Sequence, residues 1–142
     1  MEKIRFDNFY YQTEVEQKNS TEELMIAPLL IQPLVENAIW HGVHPQTGEK
    51  KISIRFFVNG SNLICEIEDN GIGIIKSTQS KSGLRPSHRS LGVTNVKERL
   101  NVLNEKYNMN CSLTITDKTS LPGNNGTGTL VRLELTILNY IP

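Results

Sequence analysis

The stretch Gln32 to Gly42, QPLVENAIWHG, constrains this chain more than any other. Leu34, Val35, Ala38 and Ile39 fall on one side of a helix, while Pro33, Asn37 and His41 recur at four-residue steps along another. A helix packed on a core normally turns Lys and Glu outward. A second stripe holding a carboxamide and an imidazole, with Glu36 beside them, points to a ligand instead. Pro28 suits the first helical position, and Gly42 can take the left-handed C-terminal cap. Pro33 then lies inside the helix, removing one backbone hydrogen bond and bending the first turns.

Around this helix the chain reads as strands. Phe9, Tyr11, Thr13 and Val15 alternate with polar or aromatic neighbours, as in a half-buried strand. Ile52, Ile54, Phe56 and Val58 alternate with Ser53, Arg55 and Phe57, an Asn59-Gly60 turn follows, and Leu63, Cys65 and Ile67 alternate with Glu66 and Glu68. That is a hairpin. A second helix is expected from Gly92, with Val96, Leu100, Leu103 and Tyr107 on its buried face. Leu113 and Ile115 come next, then a loop from Pro122 to Gly128, then a long, central strand through Val131, Leu133, Leu135 and Ile137. Strands mixed with few, separated helices imply an α+β two-layer sandwich, a mixed β-sheet with helices on one face. Residues 1–7, whose Ile4 and Phe6 lack an upstream partner, are expected to be the remnant of an upstream linker or helix, leaving 8–142 as one domain.

Fifteen basic and fifteen acidic side chains cancel, so no global field draws the chain to nucleic acid. No run of about 18 apolar residues and no charged-then-apolar leader is present, which suggests a cytoplasmic chain. Cys65 and Cys111 lack CxxC spacing and read as reduced core thiols.

Parity carried on from Leu63, Cys65 and Ile67 turns the Asp69 side chain to the buried, helix-facing side of the sheet. A lone carboxylate there costs several kcal/mol or takes up a proton, so a hydrogen-bond donor is required; an adenine amino group is a good candidate. Gly71 and Gly73 leave room for a base to approach the backbone. From Asp69 to Glu98 no acidic residue intervenes, while Lys76, Lys81, Arg85, Arg89 and Lys97 are basic. The polar stretch Lys76 to Ser90 reads as a mobile loop able to close over phosphates. The free amides at the start of the following helix, near Gly92, form a natural phosphate seat.

These motifs resemble a known family. QPLVENAI with HG just beyond, DNGIG at Asp69 to Gly73, SLGVTNVKERL and GTGT at Gly126 to Thr129 cover roughly residues 28 to 137 in the order found in the ATP-binding catalytic domain of sensor histidine kinases, within the GHKL ATPase superfamily. The wording looks most like the autolysin-regulator (LytS-like) branch. The resemblance implies a Bergerat-type fold and ATP with Mg2+. It implies that Asn37 is the metal ligand, that Asp69 accepts from adenine, and that Gly128 and Thr129 support the adenine site. His41, Lys76, Arg89 and Gly92 would stand near the phosphates. Two positions depart from the family pattern: Trp40 replaces a common Lys or Arg, and Ser90 replaces the first glycine of the second glycine box.

In the gyrase, mismatch-repair and chaperone members of the superfamily, a glutamate four residues before the magnesium asparagine activates water; here that position is Pro33. Glu36 is a neighbour of Asn37, about 100° away around the helix, and does not replace that base. Hydrolysis is expected to be slow. In the kinases the nucleophile is a histidine on a dimerisation domain, which passes phosphate to a response regulator. His41, His44 and His88 lack the wording of that acceptor region, so no catalytic residue is expected within this chain. The resemblance implies the catalytic half of a membrane-bound sensor. A non-catalytic nucleotide-binding module, or an anti-sigma-type serine kinase, are the alternatives.

Overall fold

The computed structural model describes residues 2–6, 9–15, 28–43, 47–74, 88–123 and 126–137. In chain order the elements are β1 (Glu2–Phe6), β2 (Phe9–Val15), α1 (Pro28–Asn37) continued by a π-helical turn (Ala38–Val43), β3 (Lys50–Asn59), β4 (Asn62–Asp69), α2 (His88–Tyr107), β5 (Ser112–Asp117), a short 3-10 turn (Lys118–Ser120) and β6 (Thr129–Thr136). One six-stranded sheet has the order β1-β2-β3-β4-β6-β5. The β2–β3 pair is parallel and every other neighbouring pair antiparallel, so the sheet is mixed. A parallel pair needs a long crossover, and α1 lies in it.

The α+β expectation holds, and the core shows why. Leu30, Leu34 and Ala38 repeat every four residues along α1 and bury against Ile52 and Ile54 of β3, Cys65 and Ile67 of β4, and Val131 and Leu133 of β6. Val96 and Leu100 of α2 complete the layer, with Val35 and Ile39 packed at its margin. Gly92 brings the two helices together, since a Cβ there would stand 3.5 Å from Pro33 Cβ. The β3–β4 hairpin turns at Gly60, whose φ of 59° fits the glycine position of a type II′ turn.

Residues 2–6 form an edge strand paired antiparallel to β2. Three expectations meet a different outcome. The first helix does not stay α-helical to its end but widens to π geometry at Ala38, the residue after Asn37. The second helix starts at His88, one turn before Gly92, so Gly92 is inside it rather than at its first amides. Tyr107 is 51% exposed because the buried stripe of α2 ends at Leu103, and Asn108 then takes a left-handed conformation, φ 51°, that stops the helix. The Asn104 side chain bonds both the N–H and the C=O of Cys111, tying the last turns of α2 to the start of β5.

Both thiols are free and buried, as expected. Burial, with Glu66 beside it, pushes the Cys65 thiol up to about 12. The folded thiol keeps its proton where the unfolded one begins to lose it near pH 9, so this contribution is complete below pH 9 and is lost progressively as pH rises toward 12. A disulfide-exchange reagent at pH 8 should therefore find neither thiol in the native chain and both after denaturation. Rapid native labelling of Cys65 would contradict this packing.

Candidate functional site

The register aligns four residues across one end of the sheet. Ile52 of β3 pairs with Asp69 of β4, and Asp117 of β5 pairs with Thr129 of β6. The β4–β6 ladder runs to Glu68 opposite Leu130, which leaves Asp69 beside Thr129. Residues opposite one another share a face, so all four belong to the side that carries the core. The parity argument for Asp69 is met: its side chain is on the helix-facing side and only 3% exposed.

A buried carboxylate must find N–H donors. Asp69 Oδ1 accepts from Gly71 N–H at 2.8 Å and from Thr129 N–H at 3.3 Å. Asn70 fixes the same turn from the other side, accepting from Lys51 N–H at 2.8 Å and donating to the Glu49 carbonyl at 2.9 Å. Gly128 lies so close that a Cβ would fall 2.0 Å from the Asp69 carbonyl oxygen, and its φ is 116°. Only glycine fits that approach.

The π-helical turn after Asn37 packs on β3 and β4, so the end of α1 and Asp69 belong to the same helix–sheet layer. Asn37 is 8% exposed. Among the described residues its buried Oδ1 and the buried Thr129 Oγ1 have no hydrogen-bond partner. Buried polar atoms are almost always paired, so two orphaned oxygens in this layer fit a site whose ligand supplies their partners. Among the described residues no group of three or more His, Cys, Asp or Glu side chains is placed to hold a metal ion.

Other candidates fall elsewhere. Gly73 has φ 79°, and the space its Cβ would fill is held by the Asp117 carboxylate, 2.7 Å from that point, so on this side the room beside Gly73 goes to protein. Gly92 faces Pro33. His41 and Arg89 are placed only as backbone of the π-helical turn and of the first turn of α2, and Lys76 is outside the described residues, as is the basic stretch to residue 87. Trp40 stands out at 61% exposure. A groove of about 590 Å³ lined by Leu30, Asn95, Glu98, Arg99, Val102 and Leu103 opens between the helices and includes no residue of the sheet end.

Two residues were missed by the sequence reading. Asp117 accepts from Ile74 N–H at 2.8 Å and from Thr119. Lys118 is buried, pairs with Glu68 at 2.7 Å and donates to the Asp69 carbonyl at 3.4 Å. The signal was present: Leu113, Ile115 and Asp117 share one parity, as Cys65, Ile67 and Asp69 do.

Comparison with known proteins agrees with this geometry. The family model of histidine kinase-, DNA gyrase B- and HSP90-like ATPases matches residues 27–138. The chain belongs to that family of ATPases. It is 35% identical over 80 residues to the sensor histidine kinase YpdA of Escherichia coli K12, and 35% identical over 77 residues to the sensor protein kinase HptS of Staphylococcus aureus. Those matches take in 55% and 54% of this chain but 14% of either relative, so the chain spans a small part of their length. In fold it is similar to the histidine kinase domain of the blue-light activated kinase of Erythrobacter litoralis EL346, with a TM-score of 0.56 at 19% identity over 89% of this chain and 51% of that one.

The Gly128 approach gives a test. Gly128→Ala should lower stability by at least about 1–3 kcal/mol, because both a forbidden φ and a backbone overlap must be relieved. Gly126→Ala, with φ 71° but open space around it, should lose less. Equal urea midpoints for the two variants would remove the argument from close packing.

Proposed function

We propose that this chain is the ATP-binding catalytic domain of a sensor histidine kinase of the LytS-like branch, holding ATP with Mg2+ at the sheet end. The observation that carries the reading is the pair of buried oxygens, Asn37 Oδ1 and Thr129 Oγ1, that have no partner among the described residues and lie in the layer that contains Asp69. Asp69, fixed by Gly71 and Thr129 N–H groups, would accept from the exocyclic amine of adenine, and Thr129 Oγ1 would add a contact beside it. Asn37 offers a hard, uncharged oxygen to magnesium without adding negative charge beside a triphosphate. Magnesium, when bound, supplies charge neutralisation at the phosphates. His41, Lys76, Arg89 and the N-terminal turn of α2 are the proposed phosphate-facing groups.

Transfer to histidine rather than to water follows from what stands near Asn37. One turn earlier is Pro33, and the adjacent Glu36 is exposed and accepts a hydrogen bond from Gln32 at 2.8 Å. Neither supplies a buried base for water. The proposed nucleophile is a histidine on a dimerisation domain of the full protein; its ring nitrogen bonds to the γ-phosphorus as the bond to the bridging oxygen breaks and ADP leaves. A response regulator would then take the phosphate from that domain. Among the described residues no helix is long and apolar enough to cross a membrane, and we place this chain on the cytoplasmic side of a membrane-anchored parent.

Thermal unfolding with AMP-PNP and Mg2+ tests the reading. Ligand at about 100 times its dissociation constant should add roughly 2.7 kcal/mol. Asp69→Asn should abolish the shift, whereas Asn37→Ala should remove mainly the part that depends on Mg2+. No shift for the native chain, or full shifts for both variants, would overturn the assignment. In a second measurement, radiolabelled ATP should leave no stable phosphate on this chain alone and should label a supplied dimerisation domain from its own parent. Label on this chain alone would reassign the acceptor.

A further inference from the structure

Asp117 is a buried carboxylate that the ATP-site reading does not use, at the far end of the sheet row from Ile52. Its two oxygens divide their work. Oδ1 accepts from the N–H of Thr119 at 3.0 Å and from its hydroxyl at 2.6 Å, capping the 3-10 turn. Oδ2 reaches across to the Ile74 N–H at 2.8 Å and fills the place where Gly73 lacks a side chain. The turn from Asp69 to Ile74 is thus held at both ends: at its start by Asn70 against Lys51 and Glu49, and at its finish by Asp117.

We infer that Asp117 is a positioning residue for base binding, holding the Gly71–Ile74 turn so that Gly71 N–H stays on Asp69 and the carboxylate of Asp69 stays aimed at its ligand. This rests on the reading of Asp69 as the adenine acceptor. Three features separate this role from ordinary packing. The bond to Ile74 joins segments 43 residues apart. It is made by an oxygen other than the one that caps the 3-10 turn. Gly73, with φ 79°, has its missing Cβ position taken by this carboxylate, so turn and carboxylate fit one another closely. A shorter side chain at 117 would keep the cap and lose the reach.

Asp117→Ser makes that division, since a serine hydroxyl caps a helical turn but is one atom too short for Ile74. Thr119→Val makes the converse change, removing a capping hydroxyl and leaving the Ile74 bond. Two measurements are compared: the Kd for AMP-PNP with Mg2+, read by Trp40 fluorescence, and the hydrogen-exchange rate of the Ile74 amide by NMR without nucleotide. Asp117→Ser should speed exchange at Ile74 and raise Kd by about tenfold, the factor that a hydrogen bond to a charged group commands. Thr119→Val should leave both within about twofold, whatever it does to the melting temperature. Faster Ile74 exchange with an unchanged Kd overturns the inference. So does unchanged exchange, and that arm stands even if the native chain binds no nucleotide, a failure that would belong to the ATP-site reading. Should Asp117→Ser not fold, Asp117→Asn offers one oxygen to the same donors, and exchange and Kd must rise together or the inference falls.

Discussion

A carboxylate at the end of a central strand, almost wholly out of water, survives as an anion only where N–H groups converge on it. Asp69 sets that condition for everything around it. The Gly71 and Thr129 amides must point inward at one oxygen, which fixes the turn after β4 and the start of β6 together. Gly128 must be glycine because the strand that delivers Thr129 passes against the Asp69 carbonyl. Lys118 closes the back of this arrangement, and its ammonium avoids an unpaired burial by meeting Glu68 and that same carbonyl. One charge therefore orders three segments that are distant in sequence.

The opposite face of the sheet solves a different problem. Among the described residues no helix covers it, and its side chains hold β3, β4 and β6 in register. Glu66 does this by pairing Arg55 through one oxygen and Arg132 through the other, and Arg132 pairs further with Glu134. Ile64, 1% exposed, points to this side, with Phe57 opposite it and the guanidinium groups of Arg55 and Arg132 over the Phe57 ring. Half-exposed ion pairs contribute little each, so stability comes from the inner face. What the network supplies is register, since a slip by one residue would set Arg55 opposite Cys65 or Ile67 instead of Glu66 and turn the Glu66 charge toward the other face.

Much of this was legible in the sequence where a periodicity ran uninterrupted. The apolar side of α1, the hairpin and its glycine turn and the direction of Asp69 all follow from counting residues, while β6, expected to be central, is interior but second from the edge. Legibility failed where a tertiary partner overrode the local pattern. Tyr107 fits the stripe of α2, but the packed part of that stripe ends at Leu103, so it stays in water. Gly92 looks like a helix start and is instead the point where α2 presses on Pro33. Glu2–Phe6 has too short a pattern to announce a strand, and pairing with β2 makes it one. Asp117 is the instructive miss. Its parity was readable, but its meaning depends on Gly73 and Ile74, which sequence leaves far away.

The site is prepared unevenly, and the unevenness has a physical sense. Asp69 and Asp117 are satisfied by the protein itself, which holds their charges in place without help. Asn37 Oδ1 and Thr129 Oγ1 are neutral, and their buried oxygens have no partner among the described residues. An unmade hydrogen bond costs about 1–3 kcal/mol, far less than an unpaired buried charge, so neutral groups are the ones that a fold can leave waiting. The π-helical turn that begins just after Asn37 belongs to the same logic. Such turns are frequent at functional sites, and here the change comes one residue past the carboxamide whose oxygen lacks a partner among the described residues.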